Sequence, residues 1–200
     1  MTISVEQVKQ LREKTGAGIM GCKEALVEAD GDFDEAVAIL RKRGIQIATK
    51  REARTAAEGV VWAYVHAGEK IGVLVEVNCE TDFVARTDYF RDFAKNVAMQ
   101  VAAQQPRWVS ADDVPEAALA REREILTEQA EAEGKPDHIV EQIVEGRLQK
   151  FYASDCLLDQ PYIRDDSMTI QDLLNDLVAN TGEKVVIRRF VRYQVGEELD

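Results

Sequence analysis

Hydrophobic residues in 4–43 recur every three or four positions, which is typical of amphipathic helices and predicts three short ones. Ser4 and Gln7 have the spacing of a capping box at the start of the first helix, and Asp32 is placed to begin the third. Glycines favour the left-handed backbone that ends helices, and the predicted ends are Gly16 or Gly18, Gly31 and Gly44. The apolar positions predicted to pack together in this bundle are Val5, Val8, Leu11, Ile19, Cys22, Leu26, Ala29, Phe33, Ala36, Val37 and Leu40.

The pattern changes to alternation after residue 58. Residues 59–66 and 71–80 are rich in β-branched side chains, and a four-residue segment, "AGEK", separates them. This arrangement predicts an antiparallel hairpin, with Val73, Val75, Val77 and Cys79 on its buried face and Leu74 on a partly covered second face. Residues 184–195 predict a third strand of the same sheet.

Helical spacing returns between and after these strands. Residues 87–105 carry a stripe made of Phe90, Phe93, Ala94, Val97 and Val101, which is expected to pack on the hairpin. Further helices are predicted within 115–133, 137–153 and 169–182. The expected fold class is α+β, with an N-terminal three-helix domain (1–44), a helical connector (45–58) and a core of a three-stranded antiparallel sheet packed by helices (59–200).

Gly16, Gly18 and Gly21 match the dinucleotide-binding pattern G-x-G-x-x-G, and Lys23 nearly completes a phosphate-binding loop. Both motifs need a strand before the glycines, so that the phosphate meets the start of the following helix. Here a helical segment precedes them. The glycines therefore indicate a tight turn between two helices, and we expect the chain to bind no nucleotide itself.

The net charge of the chain limits the kinds of partner that it is expected to bind. The chain has 37 acidic and 25 basic residues and a net charge of −12, which disfavours direct binding to nucleic acid. The basic clusters at 41–54 and 188–192 are expected to be solvated faces. The start of the sequence lacks a secretory pattern and no apolar run approaches membrane length. We therefore expect a cytoplasmic location, or an organelle matrix after processing, and no membrane contact.

Cysteine and histidine are too sparse for the common metal sites. Cys22, Cys79 and Cys156 are scattered, no C-x-x-C occurs, and only His66 and His138 are present. We expect no metal and no cofactor. A Ser-His-Asp relay would have to use one of the two histidines, and neither has an evident partner in the sequence.

One segment resists a purely structural interpretation. In "NCETDFVARTDYF" (78–90) the second strand gives way to the long helix, and Thr81 and Asp82 can cap a short turn. Phe83 lies between that cap and a polar run. Either it folds back into the core, or it protrudes as an interface anchor.

Three segments resemble, in order, the translation elongation factor Ts family of guanine-nucleotide exchange factors for elongation factor Tu. They are "LREKTGAGIMGCKEAL", "VNCETDFVARTDYF" and "EKVVIRRFVRYQVGE". The resemblance is strongest over 5–104 and 183–198, whereas 105–182 is only compatible in character. It implies a ubiquitin-associated-like N-terminal bundle and, because the chain is similar to the short form of the family, a homodimer.

The resemblance also implies site residues. Those matching the family element that enters the partner's GTPase domain near its Mg²⁺ site are Thr81, Asp82, Phe83 and Val84, and those matching contacts of the N-terminal bundle are Lys9, Arg12, Ile19 and Met20. The family usually has Met-Met-Asp where this chain has Ile19, Met20 and Gly21. Ile19 keeps an apolar contact, whereas Gly21 removes a negative charge.

Three other functions stay open on the residues alone. One is an acid–base enzyme that uses His66 or His138, although both histidines are expected at the surface. A nucleotide-using enzyme built on the glycine motif predicts nucleotide binding by the isolated chain. A non-enzymatic adaptor, gripping a protein partner with its three-helix bundle, predicts that residues 1–44 bind alone and that Phe83 is dispensable.

Overall fold

The computed structural model describes residues 3–134 and 136–198. Within them the chain forms three helices first, then a β-hairpin, four more helices, a small hairpin, a last helix and a last strand. The α-helices are α1 (Val5–Thr15), α2 (Ile19–Glu28), α3 (Phe33–Arg51), α4 (Asp82–Ala85), α5 (Asp88–Gln104), α6 (Glu116–Ala132), α7 (Asp137–Asp155) and α8 (Ile170–Thr181). The strands are β1 (Glu58–Val65), β2 (Ile71–Cys79), β3 (Pro161–Tyr162), β4 (Asp165–Thr169) and β5 (Val185–Gln194).

The predicted three-helix bundle is present, and its local signals act as expected. The Ser4 hydroxyl accepts from the backbone N–H of Gln7 at 3.2 Å, and the Gln7 side chain accepts from the N–H of Ser4 at 2.9 Å, which completes the capping box. Gly16 ends α1 with a φ of 68°, a conformation that side chains disfavour. The bundle core contains Leu11, Cys22, Ala25, Leu26, Ala29 and Ala36.

Two apolar positions assigned to that core are instead on the surface. Val5 and Ile19 are the first residues of α1 and α2, and both are exposed. The exposure of Ile19 matters for the site described below.

The prediction that α3 ends at Gly44 is wrong. The helix continues to Arg51 and includes the first half of the expected connector. Gly44 is buried, and a Cβ added there would lie 3.4 Å from the backbone oxygen of Asn175 and 3.6 Å from the Ala179 side chain. The glycine is there because α3 and α8 approach closely, and the division of the chain into 1–44, 45–58 and 59–200 stays a prediction.

The α+β class and the three-stranded sheet are confirmed. The strand order is β1-β2-β5, and the hairpin is closed by the His66 N–H, which donates to the Ile71 oxygen at 2.9 Å. Val73, Val75, Val77 and Cys79 are buried as the alternation predicts, whereas Leu74 on the second face is 46% exposed. The predicted stripe of α5 is also confirmed, since Phe90, Phe93, Ala94, Val97 and Val101 are all buried.

The chain divides into two compact units. The first contains residues 1–63, 74–96 and 171–189, and so holds the three-helix bundle, the end of β2 and α8. The second contains residues 64–73, 97–170 and 190–200. In the second unit α6 and α7 pack through a core of Leu126, Ala130, Val140, Val144 and Leu148.

Residues 156–169 have no clear sequence signal and fold as a turn and a short hairpin of β3 and β4. Gln100 and Gln160 are buried there. The Gln100 amide donates to the Gln160 side chain at 3.1 Å and to the Pro161 oxygen at 3.0 Å. Buried side-chain amides need hydrogen-bond partners. This part of the chain is therefore held by polar contacts of Gln100 and Gln160, which leave no periodic apolar pattern in the sequence.

Candidate functional site

Residues 80–84 lie between β2 and α5 and form a corner, the name used for them below. β2 ends at Cys79, and α4 begins only three residues later at Asp82. Thr81 is the N-cap of α4: its backbone is extended, and its hydroxyl accepts from the N–H of Val84 at 3.4 Å. The predicted cap is therefore present, two residues before Phe83.

Glu183 holds the corner from a distant part of the sequence. One oxygen of its carboxylate accepts from the backbone N–H groups of Glu80 and Thr81, each at 3.1 Å. The other accepts from the Thr81 hydroxyl at 2.6 Å. Hydrogen bonds to a charged acceptor are stronger than neutral ones, and three of them converge here on two adjacent residues.

Glu80, within the corner, in turn binds the segment that contains Glu183. Its carboxylate accepts from the backbone N–H of Lys184 at 2.7 Å and pairs with Arg54 at 3.0 Å. The hydrogen bond from Lys184 is the main reason that the pKa of Glu80 is lowered, and Arg54 adds to it. Residues 80–81 and 183–184 therefore cap each other, and both segments are fixed in one geometry.

Cys79, the last residue of β2, makes a further contact with the corner. Its thiol is fully buried and donates to the Thr81 oxygen at 3.1 Å. Burial raises its pKa to about 11, and the nearby Glu183 carboxylate contributes in the same direction. The thiol is thus inert in the folded chain and has a structural role.

The corner presents two side chains to solvent. Phe83 is 80% exposed, which confirms that it protrudes and does not fold into the core. Asp82 pairs with Arg86 one turn later at 2.8 Å and remains accessible. Val84 is partly buried and Ala85 is buried. An exposed aromatic ring next to a carboxylate, on a backbone held by three hydrogen bonds, is suited to protein recognition.

The bundle carries a second exposed set at the turn between α1 and α2. Ile19 is 58% exposed and Met20 is 64% exposed. Lys9 and Arg12 lie one turn apart on α1 and are exposed as well. Gly21 follows in the first turn of α2, where an added Cβ would come no closer than 3.9 Å to another residue, the Leu40 side chain.

The two sets belong to the same compact unit, and one contact joins their elements. The turn at Gly16 packs on Tyr89 at the start of α5, which follows the corner. Asn180 of α8 donates to the Tyr89 hydroxyl at 2.6 Å. The structure therefore attaches the turn before Ile19 to α5, the helix that follows the corner.

The other candidates from the sequence have ordinary surroundings. The Tyr64 hydroxyl lies 2.9 Å from Nδ1 of His66, and His138 is exposed at the start of α7. Cys22 and Cys156, like Cys79, are buried free thiols. Among the residues that the structure describes, no group of three His, Cys, Asp or Glu side chains is arranged to hold a metal ion. None of the described helices has the length and apolar character needed to cross a bilayer.

Some arginines of the basic clusters pair with acidic side chains of the same chain. Glu76 pairs with Arg188 at 3.5 Å and with Arg189 at 2.7 Å. Arg43 pairs with Glu24 at 3.4 Å and with Glu28 at 2.7 Å. Arginines held by carboxylates of their own chain present less positive charge to a phosphate backbone, in keeping with the solvated faces expected from the sequence.

Sequence reasoning missed Glu183 and Tyr89. Glu183 precedes the last strand by two residues and reads as an ordinary charged residue before a β segment. In the sequence Tyr89 lies next to the apolar stripe of α5, on the face of the helix expected to be polar. Each acts through a residue about ninety or more positions away, Thr81 for Glu183 and Asn180 for Tyr89, and no local pattern could reveal such pairs.

The amino-acid sequence of this chain is similar to those of elongation factor Ts proteins. A sequence model of the family described as elongation factor TS matches residues 5–197. Elongation factor Ts of Moorella thermoacetica is 58% identical over 197 residues, covering 98% of this chain and 97% of that protein. Elongation factor Ts of Thermoanaerobacter sp. strain X514 is 57% identical over 198 residues, covering 99% and 97%. Elongation factor Ts of Caldanaerobacter subterraneus subsp. tengcongensis is 56% identical over 198 residues, covering 99% of each chain. With a family match over almost its whole length and relatives that are 56–58% identical, this chain belongs to the elongation factor Ts family of translation elongation factors.

Proposed function

We propose that this chain is a guanine-nucleotide exchange factor that binds elongation factor Tu in its GDP form and promotes GDP release, so that GTP can bind. It makes and breaks no covalent bond in this step. It acts by differential binding, in the cytoplasm where translation takes place, and binds no nucleotide, nucleic acid or membrane itself.

One observation carries the proposal, namely the exposure of Phe83 on the corner. A phenyl ring that is 80% exposed is unfavourable in water unless a partner covers it. Its backbone is already fixed through Thr81 and Glu183, so little ordering entropy is lost when it inserts. A preorganised aromatic wedge is what is needed to separate packed elements of a GTPase domain.

Asp82 supplies the second part of the mechanism. Mg²⁺ neutralises the phosphates of the bound nucleotide, so displacing the groups that hold it weakens the grip on GDP. In this proposal Asp82 hydrogen-bonds beside that site. Its pair with Arg86 is a surface ion pair between half-exposed and exposed side chains, and such pairs contribute less than about 1 kcal/mol. The carboxylate can therefore change partners at little cost.

The exchange follows from linkage. A factor that binds the nucleotide-free partner more tightly than the nucleotide-bound one weakens nucleotide binding by the same factor. A loss of about 4 kcal/mol in nucleotide affinity corresponds to about a thousandfold. Incoming GTP then reverses the cycle and releases the factor.

The bundle provides additional contact area, through Ile19 and Met20 with Lys9 and Arg12 beside them. We further propose that the chain acts as a homodimer. In the first unit Val61 of β1 and Leu74 of β2 are exposed, and Leu74 lies on the face opposite the buried Val75. Exposed aliphatic side chains on a sheet favour association with another apolar surface, and a second copy offers the same surface.

The test is release of fluorescent GDP from elongation factor Tu in stopped flow. We expect strong acceleration by the wild-type chain and loss of most of it in a double variant, Asp82→Ala with Phe83→Ala, that melts at the same temperature. Ile125→Ala is the matched control, because it truncates an exposed apolar side chain on α6 and should keep full acceleration. Absence of acceleration by wild type would overturn the exchange function.

The adaptor remains the second candidate, because Ile19 and Met20 are exposed on the bundle independently of Phe83. It predicts that the double variant of the corner binds the partner as tightly as wild type. Acceleration that survives the double substitution would move the active surface to the bundle. Binding that survives without any acceleration by wild type would favour the adaptor.

A further inference from the structure

Tyr89 is the second residue of α5 and lies six positions after Phe83. Its ring is 42% exposed, yet its hydroxyl is engaged: Nδ2 of Asn180 donates to it at 2.6 Å. Burial of the hydroxyl end raises the pKa of Tyr89, and the neighbouring Asp176 carboxylate adds to the rise. The phenol therefore stays neutral and protonated at physiological pH, with its polar end fixed against α8.

The turn after α1 rests directly on this pair. Gly16 has a φ of 68°, and a Cβ added to it would lie 3.0 Å from the Tyr89 hydroxyl and 3.1 Å from Nδ2 of Asn180. A side chain at these distances would push against the Tyr89 hydroxyl and the Asn180 amide, so the backbone of the turn is in contact with the Tyr89–Asn180 pair. The exposed Ile19 follows three residues later.

A second glycine contact fixes the same bundle to the same helix. Gly44 of α3 approaches the Asn175 oxygen and the Ala179 side chain of α8. The bundle thus meets α8 near Asn175 and near Asn180, about one and a half helical turns apart. Two close contacts fix the orientation of the bundle relative to α8, whereas a single contact would allow the bundle to rotate about it.

We propose that Tyr89 is a positioning residue that locks the Ile19–Met20 turn in a fixed place relative to the corner, so that the two partner-binding elements engage elongation factor Tu together. This inference rests on the proposed exchange function. Its physical basis is preorganisation: when two contact surfaces are held at the correct spacing, the second contact forms at high effective concentration. When the lock is released, the corner still binds and the bundle contributes less.

The test measures the factor concentration that gives half-maximal acceleration of GDP release, separately from the maximal rate. We expect Tyr89→Phe to raise that concentration about three- to tenfold, the usual size of such couplings, and to leave the maximal rate unchanged. Asn180→Ala should have the same effect. Tyr193→Phe, at an exposed tyrosine of β5, is the matched control and should behave as wild type.

Combined variants separate positioning from a general structural effect. A bundle variant, Ile19→Ala with Met20→Ala, should raise the half-maximal concentration in the wild-type background and add almost nothing in the Tyr89→Phe background. Phe83→Ala should instead have its full effect in both backgrounds. Effects that multiply for both combinations would overturn the proposal, because they would mean that Tyr89 does not act through the bundle.

Hydrogen exchange of the free chain provides a readout that does not depend on the partner. Tyr89→Phe should speed exchange of the amides in 16–21 and leave those of 80–84 unchanged. Unchanged exchange in both segments overturns the lock even if GDP release is accelerated normally. Absence of acceleration by wild type, with faster exchange in 16–21, would overturn the exchange function while leaving the lock in place.

Discussion

The Glu183 carboxylate accepts a 2.6 Å hydrogen bond from the hydroxyl of Thr81, a residue 102 positions earlier in the chain. The same carboxylate accepts the backbone N–H groups of Thr81 and its neighbour Glu80. The candidate site is thus built from two segments that come together only in the folded chain. Its exposed residues, Asp82 and Phe83, depend on a side chain that no partner needs to touch.

Replacement of Glu183 should loosen the corner. Glu183→Ala removes three hydrogen bonds to a charged acceptor, and we expect it to lower the free energy of unfolding by about 2–3 kcal/mol and to abolish most acceleration of GDP release. Glu183→Gln keeps an oxygen for the two backbone N–H groups and should retain most of both. Urea unfolding and stopped-flow GDP release measure the two effects.

Cys79 reports the same change chemically. Because its thiol is buried and donates to the Thr81 oxygen, it should react slowly with iodoacetamide in the folded wild type and faster in Glu183→Ala. Mass spectrometry locates the label, and the buried Cys22 and Cys156 serve as internal controls. Equal acceleration of labelling at all three cysteines would indicate global unfolding and contradict a local role of Glu183.

Phe83 should contribute to binding and little to stability. Because its ring is 80% exposed, Phe83→Ala should change the free energy of unfolding by no more than about 0.5 kcal/mol. Phe93, ten residues later on α5, is 4% exposed, and Phe93→Ala should destabilise by about 3–5 kcal/mol. Urea unfolding compares the two, and a destabilisation by Phe83→Ala close to that of Phe93→Ala would place Phe83 among the core residues.

Features with a local physical cause could be predicted from the sequence. The capping box of Ser4 and Gln7 involves neighbours three residues apart, and the buried face of β2 follows from the two-residue period of a strand. Phe83 is conspicuous in the sequence because its aromatic ring lies outside any apolar stripe. Its exposure on a capped corner confirms one of the two interpretations that the sequence left open.

Features that depend on distant neighbours could not be predicted. Gly44 reads as a helix stop, yet it lies inside α3, where a Cβ would come within 3.4 Å of the Asn175 oxygen of α8. Ile19 fits an apolar stripe, yet its side chain is exposed at the start of α2. Glu183 and Tyr89 are ordinary residues in the sequence and acquire their roles only from Thr81 and Asn180.

Asp176 should make stability depend on pH. Burial on α8 is the main reason that its pKa is raised to about 6; Asp172 acts in the same direction and Arg41 opposes it. A carboxyl whose folded pKa exceeds its unfolded value binds its proton more tightly in the native state, so stability falls as pH rises from about 4 to about 6. Above that range the full penalty remains.

Asp176→Asn should remove this penalty. We expect it to raise the free energy of unfolding by as much as about 3 kcal/mol at pH 7.5 and by about half of that at pH 5. Urea unfolding at the two pH values measures the difference. Asp92→Asn, at an exposed position of α5, should change stability little at either pH. A gain from Asp176→Asn that is equal at both pH values would show that the carboxyl does not titrate in this range.

Leu74 should hold the proposed homodimer together. Leu74→Lys places a charge on the exposed face of β2, where burial against a second copy would be strongly unfavourable, while the monomer tolerates it. Light scattering should report twice the chain mass for wild type and the mass of a single chain for the variant, with unchanged helical content. Val27→Lys, at an exposed apolar position of α2, is the control and should stay dimeric. A monomeric wild type at micromolar concentration would overturn the homodimer.

Gly21 is the third residue of α2, a helix whose first turn has no acidic side chain and whose N-cap, Gly18, makes no side-chain hydrogen bond. A side chain fits there, because the nearest atom to an added Cβ is Leu40 Cδ2 at 3.9 Å. Gly21→Asp should therefore raise the free energy of unfolding by about 0.5–1 kcal/mol, since it removes a flexible residue from the helix and places a carboxylate at the positive end of its dipole. Since the resemblance to the family implies an aspartate at this position, we also expect a lower half-maximal concentration in the GDP-release assay. Gly21→Asn has nearly the same size without the charge, so an equal improvement by both variants would show that the charge has no role in binding the partner.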